Sequence, residues 1–236
     1  MAYLMCYWLS MFYAETIATW IGKNAHLWRT LLSDTCVDPS KVSFLPPMVD
    51  TDMFMAVRKD YSEPRIMVNG KKTHRGNFLR TLKIVCDCLP NCEMMVIGLD
   101  SLPKECEGID DSRFEPLGLL PYDCVPENYR SANIYVILFD SHEGFSLSTL
   151  EAMASGYVSL VSRFIAGNMD NGIIVDGPTG FVIDDEDDLI HTVQMLSEKP
   201  AELERLGLIA RRLIEEQYSL NHCFHSHGFF GELGGG

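Results

Sequence analysis

From Lys41 onward, short β-rich apolar runs alternate with stretches of helical spacing, and this alternation confines the chain to a narrow set of folds. Runs at 42–45, 66–68, 93–97, 134–138, 158–161 and 180–183 read as strands. Helical patterns fit 76–86, 126–132, 146–155, 186–197 and 200–217. Strands separated by helices pair in parallel, because a parallel neighbour needs a crossover long enough to hold a helix. Ile134-Tyr135-Val136-Ile137-Leu138 is apolar throughout, as suits a strand covered on both faces. The expected fold class is therefore α/β: a parallel sheet with helices on both faces.

At 236 residues and 47% hydrophobic content the chain can bury a real core, as one large domain or one and a half. A formal charge of −14 argues against a nucleic-acid partner, which needs clustered Lys and Arg. Eight cysteines occur without a secretory signal, so reduced thiols and a cytoplasmic location, its membrane face included, are expected. Cys86-x-Cys88-x3-Cys92 lacks the spacing of a standard zinc site and has no second half-site. No metal and no cofactor are expected. The cluster His222, Cys223, His225, His227 falls in what reads as a frayed tail, residues 221–236.

Residues 1–40 stand apart. Met1 to Trp20 is rich in aromatics, lacks the basic start of a signal peptide, and is interrupted by Glu15 before it reaches membrane-spanning length. All three tryptophans precede Arg29, which suggests a helical segment built to pack on something large: a partner domain, or a second copy through residues 1–30. Residues 41–220 then form the α/β domain.

The segment from Ser141 to Gly156 holds the best clue to function. It sets Glu143 and Glu151 eight residues apart, across a strand end, a glycine turn at Gly144 and the first turns of a helix. Ser146 suits an N-cap, Leu147, Leu150, Met153 and Ala154 recur at helical spacing, and Gly156 suits the stop. Both glutamates would face the crevice where open α/β sheets bind ligands. Alone, such a spacing is what any acidic chain contains on its solvated surface.

In context, Glu143, Gly144, Phe145, Glu151, Ala152, Met153, Ala154 and Gly156 fall in register with the pattern Glu-Gly-Phe-Gly-x3-x-Glu-Ala-Met-Ala-x-Gly. The segment thereby resembles the donor-binding signature of the "group 1" retaining glycosyltransferases, nucleotide-sugar-dependent enzymes built of two Rossmann-like domains (GT-B). Ser146 replaces the usual glycine. The resemblance continues. Val42 to Phe54 resembles the family's interdomain passage, with Pro47-Met48 for Asn-Gly; Gly177 to Val182 resembles a later turn and strand, and Glu202 to Tyr218 the closing helix. It implies a Rossmann-like, C-terminal donor-binding domain preceded by a helical remnant.

The same resemblance implies roles. Asn69-Gly70-Lys71-Lys72-Thr73-His74-Arg75-Gly76 stands where family members hold the donor's diphosphate on two cations; by position these are Lys71 and Arg75, beside Gly70. A P-loop does not fit, since Arg65 occupies the place of its first glycine. Gly118 opens the loop beside the nucleotide base, and Gly144, Phe145 and Ser146 line the donor. Glu151 would accept from the ribose and Glu143 from the sugar. Gly167-Asn168-Met169-Asp170 occupies the place of a Gly-Gly-x-x-Glu loop, and His142 is a spacer rather than a base. The resemblance implies metal-independent sugar transfer from a nucleoside diphosphate sugar to an unidentified glycan, lipid-linked or other acceptor, with retention, catalysed by Lys71, Arg75 and Glu143. About forty residues precede the passage, so the acceptor domain is expected to be lacking or reduced and a partner to be needed. The alternative is a nucleotide-sugar-binding module without turnover, or one subunit of a split enzyme.

Overall fold

The structure, a computed structural model, describes residues 17–19, 38–44, 47–56, 61–62, 64–69, 81, 83–85, 87–101, 111–138, 146–169 and 173–222. Two short strands, β1 (Ile17–Thr19) and β2 (Val42–Phe44), pair in parallel as a separate sheet. The helical expectation for the N-terminal segment is thus corrected at Ile17–Thr19, where β-branched residues flank a single alanine. The rest of 1–37, with all three tryptophans, lies outside the described residues.

The main sheet has six parallel strands: β3 (Arg65–Asn69), β4 (Glu93–Ile97), β5 (Phe114–Gly118), β6 (Ile134–Ile137), β7 (Val158–Ser162) and β8 (Phe181–Ile183). Their order is β5-β4-β3-β6-β7-β8. This is the Rossmann-like winding, in which the chain steps outward from the centre one way and then the other. Five strands match the expected runs. The sixth, β5, is an edge strand carrying Pro116, a residue an edge can hold because its missing N–H faces no partner.

Alternate residues of each central strand feed two cores. Ile66, Val68, Ile134, Val136, Val158 and Leu160 pack on one face, and Met67, Tyr135, Ile137 and Val161 on the other. Nearly all are fully buried, which stabilises the fold by roughly 1.5–3 kcal/mol per large side chain. The first face is covered by helical residues at 81, 83–85 and 87–88 and by α4 (Glu186–Ser197); the second by α1 (Val125–Asn128), α2 (Leu147–Ala154) and α3 (Arg163–Asn168). Helix α5 (Pro200–Gln217) serves both, with Leu203 and Leu206 in one core and Ala210 and Ile214 in the other.

The caps explain the helix bounds. Asp185 accepts from Asp188 N at 2.9 Å and Asp188 in return from Asp184 N at 3.1 Å, so the acidic run 184–188 serves the N-terminus of α4. Gly156, at φ 77, ends α2. The helix expected at 126–132 is shorter: a 3-10 turn Tyr122–Cys124 leads into α1, which stops at Asn128.

The helical spacing of 200–217 puts Gln217 on the buried stripe and Arg211 on the solvent side, and the structure corrects both. Gln217 is exposed rather than on the buried stripe, where Gly207 sits instead. Arg211 does not face solvent. Its Nη1 donates to Phe54 O at 2.8 Å and to Ala154 O, and its Nη2 pairs with Glu215 at 2.7 Å. One guanidinium thus ties α5 to the end of α2 and to the turn at 50–54, because α5 crosses α2 closely enough for its fork to reach the free carbonyls at the helix end. In that turn Asp50 Oδ1 accepts from Asp52 N and Met53 N at 3.0 and 2.9 Å, burying Phe54 completely.

Candidate functional site

The winding of the main sheet reverses between β3 and β6, which pair directly with Ile66 opposite Ile134 and Val68 opposite Val136. In open α/β sheets the ligand crevice lies outside the carboxyl ends of the strands at such a reversal. Two segments of this chain begin there: the one after Asn69, which carries Gly70, Lys71 and Arg75, and the one after Leu138, which carries Glu143, Gly144 and Phe145. Those six residues lie outside the described ones.

Glu151, Ser146 and Gly118 are described. Ser146 precedes α2 in extended conformation (φ −86, ψ 95), as an N-cap residue does, but no side chain caps the helix. The Ser146 hydroxyl accepts instead from Thr149 Oγ1 at 2.8 Å and lies 3.3 Å from Ser148 Oγ, which accepts from Tyr135 OH at 2.8 Å. This hydroxyl chain fixes the first turn of α2 on strand β6. Ser148 and Glu151, three residues apart, share the same face of the helix.

Glu151 is half-buried on an aromatic floor. The Tyr122 hydroxyl donates to its Oε1 at 3.2 Å. Behind it stand Phe54, with ring centre 6.1 Å from Tyr122 and 5.6 Å from Tyr129, and Tyr129 itself, 5.6 Å from Tyr157. Burial pushes the Glu151 carboxyl above the usual range, and the bond from Tyr122 partly opposes that. Burial, the charge on Glu151 and the bond to it, and then Asp50, push the Tyr122 phenol up to about 12, so it stays a donor at any working pH. Burial holds Tyr129 far above its ordinary value, so it too stays neutral. A carboxylate so placed is an acceptor aimed at hydroxyls.

Gly118 closes β5 at φ 64, and its N–H bonds Leu99 O at 2.8 Å while its own carbonyl accepts from Gly98 N at 2.7 Å. It lies on the same carboxyl edge of the sheet. Leu119 beyond it is 86% exposed, and the chain then runs over the sheet to put Tyr122 on Glu151.

The Gly167–Asp170 loop is corrected. Ser162 accepts from Ile165 N at 3.4 Å and starts α3, which runs through Gly167 and Asn168; Asp170 lies outside the described residues. The cause is the pair Ile165 and Met169, four residues apart and both buried in the core, which hold the segment helical. Beside α3, a cleft of about 150 Å³ opens at the ends of β6, β7 and β8 between Leu138, Ser162, Arg163 and Asp184. Its Arg163 is held by Asp184, with Nε 2.7 Å from Oδ1. Among the described residues no group of His, Cys, Asp or Glu is arranged to hold a metal ion. No helix among them is long and apolar enough to cross a membrane.

The family model of the glycosyl transferases group 1 matches residues 66–199, more than half of the chain. The chain belongs to that family. An MMP α-(1→4)-mannosyltransferase of Mycolicibacterium hassiacum is 28% identical over 211 residues, covering 80% of this chain and 47% of its own. The fold recurs in a sucrose-phosphate synthase of Thermosynechococcus elongatus at TM-score 0.70 and 17% identity, over 96% of this chain and 60% of that one. It recurs in Anabaena HepE, crystallised with UDP, at TM-score 0.71 and 13% identity, over 93% and 64%. The chain thus spans about half the length of its mannosyltransferase relative and under two thirds of these solved ones.

The sequence did not point to Tyr122 or to the buried role of Arg211. Nothing local marks Tyr122, which comes from a turn 29 residues before its partner. Arg211 carried a signal: it follows Ala210 and lies four residues after Gly207, on the edge of the stripe that α5 buries.

Proposed function

We propose that this chain carries the donor site of a retaining glycosyltransferase and takes its sugar from a nucleoside diphosphate sugar. The observation that carries this is Glu151: a half-buried carboxylate on α2, fixed by Tyr122, beside the point where the sheet winding reverses, in a segment that matches the family signature in register. UDP in the HepE crystals supports the donor class.

As the sugar departs through an oxocarbenium-like transition state, negative charge grows on the diphosphate. Lys71 and Arg75, on the segment after β3, neutralise it, joined by the N–H groups of Gly144 to Ser146, in the stretch of sequence that precedes α2. Pre-organised charge of this kind contributes about 3–4 kcal/mol per donor removed. Glu151 accepts from the ribose hydroxyls and Glu143 from those of the sugar. Gly70, Gly118 and Phe145 shape the pocket around diphosphate and base. Attack from the side the diphosphate leaves keeps the configuration at the anomeric carbon.

A thermal-shift panel of uridine, guanosine and adenosine diphosphate sugars tests donor binding, and proton NMR of the product of incubation with an acceptor sugar tests transfer. A shift with one base and an anomeric signal of unchanged configuration are expected. No shift with any donor removes the proposal. A shift without transfer leaves a binding module.

A further inference from the structure

Among the described residues around Glu151, one has no assigned role, the exposed Tyr122. We propose that Tyr122 is a positioning residue for the donor site: its hydroxyl holds Oε1 of Glu151 and so leaves Oε2 to the ribose hydroxyls of a nucleoside diphosphate. The inference rests on Glu151 being the ribose carboxylate.

Three observations converge on it. The hydroxyl sits 3.2 Å from Oε1, longer than the usual O–H···O bond, with room to shorten once a ligand fixes the carboxylate. The ring is 60% exposed, so packing does not require a tyrosine there, yet Phe54 braces it edge-on at 6.1 Å. Phe54 is held in turn, since its carbonyl accepts from Arg211 on α5. Tyr122 is thus a surface ring with an anchored base and a polar tip on the one acidic side chain of α2.

The groups around Glu151 make the bond matter. Tyr129 after α1 and Tyr135 on β6 face it as neutral phenols, and the Tyr135 hydroxyl is committed to Ser148. Asp50, from the 47–56 segment, adds negative charge beside Tyr122. Arg211 spends its guanidinium on carbonyls and Glu215. Among the described residues, therefore, Tyr122 supplies the bond that favours the ionised form of Glu151 against burial. A ribose hydroxyl donates more strongly to a carboxylate than to a carboxylic acid, roughly twofold in strength.

The experiment is a calorimetric titration of uridine, guanosine and adenosine diphosphates into the full chain, from mildly acidic to mildly alkaline pH. It compares wild type, Tyr122→Phe, Glu151→Gln and the double variant. Tyr122→Phe keeps the ring, and a melting curve checks that it folds. Wild-type affinity should fall on acidification as Glu151 takes up a proton. In Tyr122→Phe that fall should begin at higher pH, giving about a threefold to tenfold loss at the acid end and a smaller one at the alkaline end. The double variant should bind no more weakly than Glu151→Gln alone, because the phenol acts through the carboxylate. If Tyr122→Phe tracks the wild type at every pH, or if the two losses simply add, the positioning role is overturned while the donor site stands. If wild type binds none of the three nucleotides, the donor-site proposal falls and takes this one with it.

Discussion

Glu151 is under two opposed demands, burial that resists its charge and, in the proposed function, a ligand that needs it. Its folded-state pKa is raised, so between the ordinary carboxylate value and that raised one the native chain holds a proton that the unfolded chain has released. Its contribution to stability is therefore present at acid pH and lost as pH rises through that window, while donor affinity gains over the same window. Glu151→Gln should separate the two: melting at neutral pH at or above the wild type, with nucleoside diphosphate affinity down about tenfold to a hundredfold. A calorimetric scan and a titration check this, and a lower melting temperature with unchanged affinity would contradict it. Glu151 and Ser146 were legible because strand exit, glycine turn and helix start are local patterns. Tyr122 was not, because its importance arises only when the chain after β5 folds back across the sheet.

Besides their side-chain packing, α5 and the end of α2 approach backbone to backbone at Gly207 and Gly156. A Cβ placed on Gly207 would stand 2.3 Å from Gly156 O, an atom of main chain that cannot yield without moving α2. Gly207→Ala should therefore cost about 1–3 kcal/mol or more, measured by urea unfolding. The control is Gly167→Ala in α3, where nothing lies within 4 Å and the helical gain of about 0.5–1 kcal/mol should show instead. Equal effects would contradict the close crossing. Arg211 guards the same junction. Arg211→Ala strips donors from the carbonyls of Phe54 and Ala154 and should destabilise by about 1.5–3 kcal/mol per charge-assisted bond lost, with Arg211→Lys recovering only part because an ammonium lacks the fork. The bounds of α4 and α5 were readable from Asp185, Ser197, Pro200 and Gln217, since caps and periodicity are written along the chain. The crossing was not, because a glycine inside a helical stripe reads as a weakness until its neighbour is known. Likewise β5 hid behind Pro116, a residue that argues against a central strand but not against an edge.

For the whole molecule, six parallel strands wound outward from β3 and β6 end on one edge, where the segments after Asn69, Gly118 and Leu138 begin. Those segments follow strand ends, so their starting points were legible once the sheet was read as parallel. The N-terminal segment was read less well, since three strand residues at Ile17–Thr19 pair with β2, which no pattern within 1–40 announces. The central claim is that the crevice at the β3–β6 reversal grips a nucleoside diphosphate from both sides, cations after β3 and Glu151 on α2. Its most direct test is the calorimetric affinity of the donor sugar nucleotide for wild type, Arg75→Ala and Glu151→Ala, side by side. Each variant should bind at least about tenfold more weakly, the loss of one charge-assisted contact. Affinity equal to the wild type in both would contradict the account.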